Sequence, residues 1–283
     1  MNSGKNPGNR HKIRLKGAQE TLMWTLRAKA RDARSPRPIL GDVIAAEWAA
    51  SVDYDFDKLI GHGDTMITLR ARQMDQWVRE FLKTHTQATV LQLGCGLDTR
   101  YFRLKHLGAL SPGVLWFDVD YPEVINLRHK FCTEEPGYRM IPSSVTDPGL
   151  FTDLPADRRE NVPVLIIAEG LFEYVEVKEV KALLNRLTKL FGSGEIIFDV
   201  MNTFAVKAAS KSLWDSTGAK HVWAVDHPAE VDRLDPRLKR RMDLPLFSSR
   251  FVKNAPFSTR ILYSFMNLIP PLRTMMRLLR YEF

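Results

Sequence analysis

The stretch Thr89-Val90-Leu91-Gln92-Leu93-Gly94-Cys95-Gly96-Leu97-Asp98-Thr99-Arg100 decides the fold. A short β-prone run breaks there into a glycine-rich turn, and glycine permits both a tight reversal and close backbone approach to a ligand. Toward the C-terminus the pattern repeats. Val114–Asp120 is a second strand, and Tyr121-Pro122-Glu123 then opens a helix through about Phe131. A third strand falls at Tyr138–Ile141. Val162–Ala168 is a continuous apolar run, as in a central strand buried on both faces. A helical period over Val177–Phe191 precedes a fifth strand at Glu195–Val200. Strands alternating with helices imply an α/β fold built on a mostly parallel, doubly wound sheet.

Toward the N-terminus the spacing is helical. Leu22, Leu26 and Ala30 line one face of Thr21–Ala33, which Ser35, Pro36 and Pro38 stop. A short helix follows at Gly41–Ser51. A third runs from Asp64 to about Lys83, its apolar stripe formed by Met66, Leu69, Met74, Trp77, Val78 and Phe81. The expected organisation is a single domain. Residues 1–16 read as a flexible basic tail, 17–87 as a helical lead-in and 88–202 as the ligand-binding core. Residues 203–250 are polar, aromatic and irregular, and read as an insertion or lid rather than as sheet; 251–283 complete the sheet.

Composition excludes other classes. With 45% hydrophobic and 26% charged residues, the 283-residue chain is neither disordered nor collagenous. Ile261–Leu272 is broken by Ser264, Asn267, Pro270 and Pro271, so it does not read as a membrane span. The start has no apolar leader segment, and two cysteines, Cys95 and Cys132, make no disulfide framework; both point to the cytoplasm. The net charge of +8 is uneven: residues 1–37 and 237–283 each hold ten basic and two acidic side chains, against 21 and 29 between them. Basic ends suit nucleic acid, but no aromatic-interleaved platform accompanies them. No His/Cys cluster has metal-ligand spacing.

In an open α/β sheet, ligands bind at the carboxyl ends of the strands. Gly94 and Gly96 lie at the first such end. Thr99 breaks the dinucleotide glycine pattern, and no Lys-Ser/Thr pair follows to make a phosphate loop. Asp118 and Asp120 close the second strand, where a carboxylate suits both hydroxyls of a ribose. The third strand leads to Ser143-Ser144-Val145-Thr146-Asp147, a loop able to face a base. Glu169 directly follows the most apolar run of the chain, and burying it unpaired is costly. It therefore needs an arginine or a ligand group.

Three segments, Gly94–Arg100, Asp118–Ile125 and Ala168–Val175, together resemble the leucine carboxyl methyltransferase family of class I, Rossmann-like O-methyltransferases that use S-adenosylmethionine (SAM). Within it the chain resembles most the bacterial tetracenomycin-type polyketide branch, to which Glu20–Leu26, Arg70–Asp75 and Leu279–Phe283 are also similar. The resemblance implies SAM as cofactor and S-adenosylhomocysteine (SAH) as product. It places Arg70 on the methionine carboxylate, Gly94 and Gly96 along the methionine part, and Asp120 on the ribose, with Asp118 the second choice. Ser144 and Val145 fall on the adenine side, without the family's frequent Asp-Leu pair, and Glu169 near the methionyl amine. Arg27, Lys29 or Arg31 supplies a further cation. Glu173 departs from the branch, where that position is often hydrophobic.

A carboxylate acceptor is already ionised at neutral pH and needs no general base, so no catalytic acid or base is assigned. A phenol would want one, such as His221 or His227. Acceptor contacts are expected from Tyr174, Trp214, His221 and Trp223, with Arg100 and Arg128 as further candidates. The expected activity is methyl transfer to an oxygen, a carboxylate by preference, of a small molecule such as a polyketide. The rivals are a nucleic-acid methyltransferase using the basic ends and a non-catalytic SAM-binding protein.

Overall fold

The computed structural model describes residues 11–12, 20–56, 63–151, 154, 162–209 and 220–283. Its centre is a seven-stranded sheet of β1 (Gln87–Leu93), β2 (Gly113–Asp120), β3 (Tyr138–Pro142), β4 (Val164–Ala168), β5 (Gly194–Met201), β6 (Lys239–Pro245) and β7 (Met276–Glu282). The spatial order is β3-β2-β1-β4-β5-β7-β6. The first five strands are mutually parallel, and β7 lies antiparallel between β5 and β6. Every residue of β4 is buried, because neighbours flank it on both edges and side chains pack on both faces. That is why VLIIA carries no polar alternation.

Helices among the described residues include α1 (Glu20–Ala33), α2 (Val43–Ala50), α3 (Asp64–Thr84), α4 (Arg100–His106), α5 (Pro122–Arg128), α6 (Val177–Leu190) and α7 (Phe257–Leu268). The α3 stripe (Leu69, Met74, Trp77, Val78, Phe81) packs into the core on one face of the sheet; Val180, Leu183, Leu184 and Leu187 of α6 do so on the other. Met23, Leu26 and Ala30 of α1 join Ala45, Trp48 and Ala49 of α2 against Leu97 and Leu127. The lead-in helices are thereby seated over the glycine turn. Strand order reverses between β1 and β4, so the crevice between their carboxyl ends is where an α/β sheet binds its ligand.

Two expectations need correction. Lys239–Pro245, read as part of a non-sheet insertion, is an edge strand paired with β7 from Lys239↔Glu282 to Pro245↔Arg277. Its first five residues are exposed, so the KRRMDLP sequence shows no apolar alternation. Residues 11–12, assigned to a flexible tail, pair with Val52–Asp53; the rest of 1–16 lies outside the described residues. No helix among the described residues is long and apolar enough to cross a membrane.

Candidate active site

The glycine turn after β1 is shaped by conformations few residues adopt. Gly94 and Gly96 have φ of +61° and +52°. A Cβ on Gly94 would lie 2.8 Å from Leu171 Cδ1, and one on Gly96 would lie 2.7 Å from Leu22 Cδ2. The glycine backbone is thus packed directly against Leu22 of α1 and Leu171 of the loop after β4, with no room for a side chain. Asp120 ties the turn to the end of β2: Gly96 N–H donates to its Oδ2 at 2.7 Å and Tyr121 N–H to its Oδ1 at 2.8 Å. From below, Arg128 of α5 donates through Nη1 to the Gly96 and Asp98 carbonyls, at 2.9 and 2.8 Å.

Arg128 is fully buried and also pairs with Asp118, which accepts from Tyr138 and Trp116 as well. This removes both residues from the ligand roles considered for them. Asp118 has its oxygens committed to Arg128, Tyr138 and Trp116, and Arg128 is a brace for the turn rather than an acceptor contact.

At the carboxyl end of β4, Glu169 lies between two guanidinium groups. Arg70 Nε reaches its Oε1 at 3.2 Å, and Arg100 Nη2 bonds Oε2. Burial alone would raise this carboxyl, but Arg100, Arg70 and Lys29 outweigh it and hold it down to about 2. Arg70 Nη1 also donates to Asp199 at 2.8 Å, while Gly170 N–H donates to the other Asp199 oxygen at 2.7 Å. Asp75 of α3 clamps Arg100 and Arg103, its Oδ1 taking Arg100 Nε and its Oδ2 taking Arg103 Nε, each at 2.7 Å. Arg100 is fully buried in this network and positions Glu169; it is not an acceptor contact. Of the three N-terminal cations, Lys29 points here, 3.2 Å from Asp98, whereas Arg27 and Arg31 pair with Asp64.

One cavity of about 530 Å³ joins these elements. Its polar end holds Lys29, Arg70, Gln92, Gly94, Gly96 and Glu169. Its apolar end is built by Met66, Met201, Ala205, Ala208, Met275 and Met276, with Glu173, Tyr174 and His221 between. The Tyr174 and His221 rings lie 5.1 Å apart, and burial lowers the His221 imidazole.

The cavity therefore brings together Arg70, Gly94, Gly96, Glu169, Tyr174 and His221. Asp120 touches it through Gly96. Ser144 and Val145 lie in the loop after β3, off this lining: the Ser144 hydroxyl is 2.8 Å from that of Thr146, and the Val145 carbonyl accepts from Arg186. Trp223 packs near Phe172 instead of lining the cavity, and Trp214 is outside the described residues. Asp75, Asp199, Arg103 and Gln92 were not anticipated. Asp75 and Asp199 meet partners at least 25 residues away, so no local spacing signals them, and Gln92 is a buried amide within a strand that is buried along nearly its whole length. Among the described residues, no group of three His, Cys, Asp or Glu could hold a metal ion.

The donor set fits SAM. A glycine turn in the cavity wall, a strand-end carboxylate beside it and a cavity of this volume suit an adenosyl amino acid. Four cations (Lys29, Arg70, Arg100, Arg103) meet five carboxylates (Asp42, Asp75, Asp98, Glu169, Asp199) in the linked network, an excess of one negative charge. That excess favours a cofactor of net charge +1.

Comparison with known proteins agrees. The family model "Leucine carboxyl methyltransferase" matches residues 23–188. The tetracenomycin polyketide synthesis O-methyltransferase TcmP of Streptomyces glaucescens is 38% identical over 96% of this chain and 98% of its own. The S-adenosyl-L-methionine-dependent methyltransferase dpfgK of Gibberella zeae is 34% identical over 81% of this chain and 83% of its own. A solved DUF574 family protein from Streptomyces avermitilis shares the fold, with a TM-score of 0.59 at 14% identity over 91% of this chain and 96% of that one. The chain belongs to the leucine carboxyl methyltransferase family and is a SAM-dependent methyltransferase.

Proposed function

We propose that this methyltransferase acts on an oxygen of a small molecule of the polyketide type, and that the oxygen is that of a carboxylate. The observation that carries the reading is the two-ended cavity, in which a chamber of methionines and alanines opens beside the glycine turn. Such a chamber suits a flat, largely apolar acceptor. The polyketide named for the Streptomyces relative supports the same substrate class.

Bound SAM supplies a methyl group on positively charged sulfur. The protein's part is to hold the two reactants in line and exclude water. Arg70 and Lys29 offer cationic groups at the polar end for the methionine carboxylate; Glu169, kept ionised by Arg100 and Arg70, is the complementary site for an ammonium. Asp120 and Arg128 hold the turn in place through its backbone, and Asp120 is the ribose carboxylate. Ser144 and Val145 belong to the adenine side of this scheme. Tyr174 and His221 border the acceptor, with Ala205 and Ala208 from the segment after β5 beside them. An ionised acceptor oxygen is nucleophilic without a base, so this arrangement needs no proton transfer.

The test is methyl transfer from methyl-labelled SAM to paired aromatic acids and phenols. The expected product is a methyl ester that releases its label as methanol in mild alkali. Exclusive formation of alkali-stable ethers would instead assign a hydroxyl acceptor, with His221 as the candidate base.

A further inference from the structure

Glu173 sits in the one-turn 3-10 helix Phe172–Tyr174, just beyond β4, at the junction of the cavity's polar and apolar ends. The residue is only 6% exposed, and its Oε2 has no hydrogen-bond partner. A buried polar atom without a partner is destabilising, and native interiors rarely retain one. Its backbone is pinned, since the Glu173 carbonyl accepts from Val222 N–H at 2.8 Å, so the side chain is held at the cavity wall. The surrounding charges do not satisfy it. Arg70 of α3 is engaged with Glu169 and Asp199, and the remaining titratable neighbours are Tyr174 and His221.

Resting on the reading of a carboxylate acceptor, we propose that Glu173 is the acceptor-recognising side chain of this site: as a neutral carboxylic acid it donates from Oε2 to an oxygen of the acceptor carboxylate. Burial, with Asp199 adding to it and Arg70 opposing, pushes this carboxyl up to about 8, so the proton is present at neutral pH. An O–H···O⁻ bond to an ionised acceptor is of the strong, charge-assisted kind. It fixes one acceptor oxygen and leaves the other free to meet the methyl group. Once Glu173 ionises, donor becomes like charge and the acceptor is repelled. A hydroxyl acceptor would use the same residue in the opposite sense, as a base effective only above its pKa.

The test uses full-length protein saturated with SAH and 2-naphthoate as the probe, with 2-naphthalenemethanol as the uncharged control, titrated calorimetrically at pH 6.5 and 9. Wild type is expected to bind naphthoate about tenfold more weakly at pH 9, in proportion to the fraction of Glu173 still protonated. Glu173→Gln keeps a donor that does not ionise, so its affinity should be flat with pH. Glu173→Leu should bind weakly at both, and the alcohol should show no such pH dependence in any of the three. The same pH profile in wild type and Glu173→Gln overturns the assignment of Glu173 alone, whereas no naphthoate binding to SAH-saturated wild type at pH 6.5 overturns it together with the carboxylate-acceptor reading. Failure of SAH to bind would instead remove the functional reading beneath it.

Discussion

Single atoms decide much of this site. At Gly94 a methyl group would have to occupy space 2.8 Å from Leu171 Cδ1 at a φ of +61°. Gly94→Ala is expected to destabilise the fold by about 1–2 kcal/mol, combining left-handed strain with overlap. It should also weaken SAH binding, measured by calorimetry, by more than the change in stability alone explains. Unchanged affinity would mean that the turn does not touch the cofactor. Glu173 makes a prediction in the free protein. Its folded pKa is raised, so the native state holds more protons than the unfolded chain between about pH 4.5 and 8, and stability falls as pH rises through that window. Glu173→Gln lacks this penalty; its Tm should exceed the wild type's by about 3–6 °C at pH 8, and by much less at pH 5. The glycines, Asp120 and Glu169 stand at strand ends, where the residue type is unusual for its surroundings, and so stand out in the sequence; Arg70, inside helix α3, is named there only through the family resemblance. Asp75 and Asp199 were not legible, since their roles exist only once residues up to 129 positions apart meet.

Elements set where those atoms stand. Helix α3 contributes Arg70 to the cavity and Asp75 to the clamp on α4, and α5 contributes the Arg128 brace. Removing Arg128 would leave Asp118 charged and buried with only Tyr138 and Trp116. Arg128→Met is therefore expected to destabilise the protein by about 3–5 kcal/mol in urea unfolding. A variant of normal stability with altered acceptor KM would mean that Arg128 faces substrate after all. The central strands were readable because burial on both faces forces continuous apolar runs such as VLIIA. The edge strand β6 was not: its first five residues face solvent, so burial places no pattern on them. Helix α7 was unread for a related reason. Phe257, Leu262, Phe265 and Leu268 are exposed, which blurs the contrast between an inner and an outer face.

The whole molecule carries its charge in a way that bears on partners. In the basic C-terminal segment, Arg237, Arg240, Arg241, Arg277 and Arg280 each pair with a carboxylate: Asp235, Asp232, Glu282, Asp243 and Glu195 respectively. Half of that segment's ten cations are thus locally compensated, and they sit around the sheet edge rather than forming a track. We expect weak tRNA binding with a shallow dependence on salt; a slope corresponding to several released counterions would revive a nucleic-acid acceptor. The order β3-β2-β1-β4-β5-β7-β6 places Asp120, the glycine turn and Glu169 at the carboxyl ends of three adjacent strands, which brings three segments far apart in sequence to one end of the sheet. Binding of the adenosyl cofactor at these strand ends is tested by calorimetric titration of SAH into wild type and Asp120→Ala. Tight binding to wild type, weakened at least about tenfold by loss of a charge-assisted contact, is the predicted result. No binding to wild type, or equal affinity in both proteins, would contradict it.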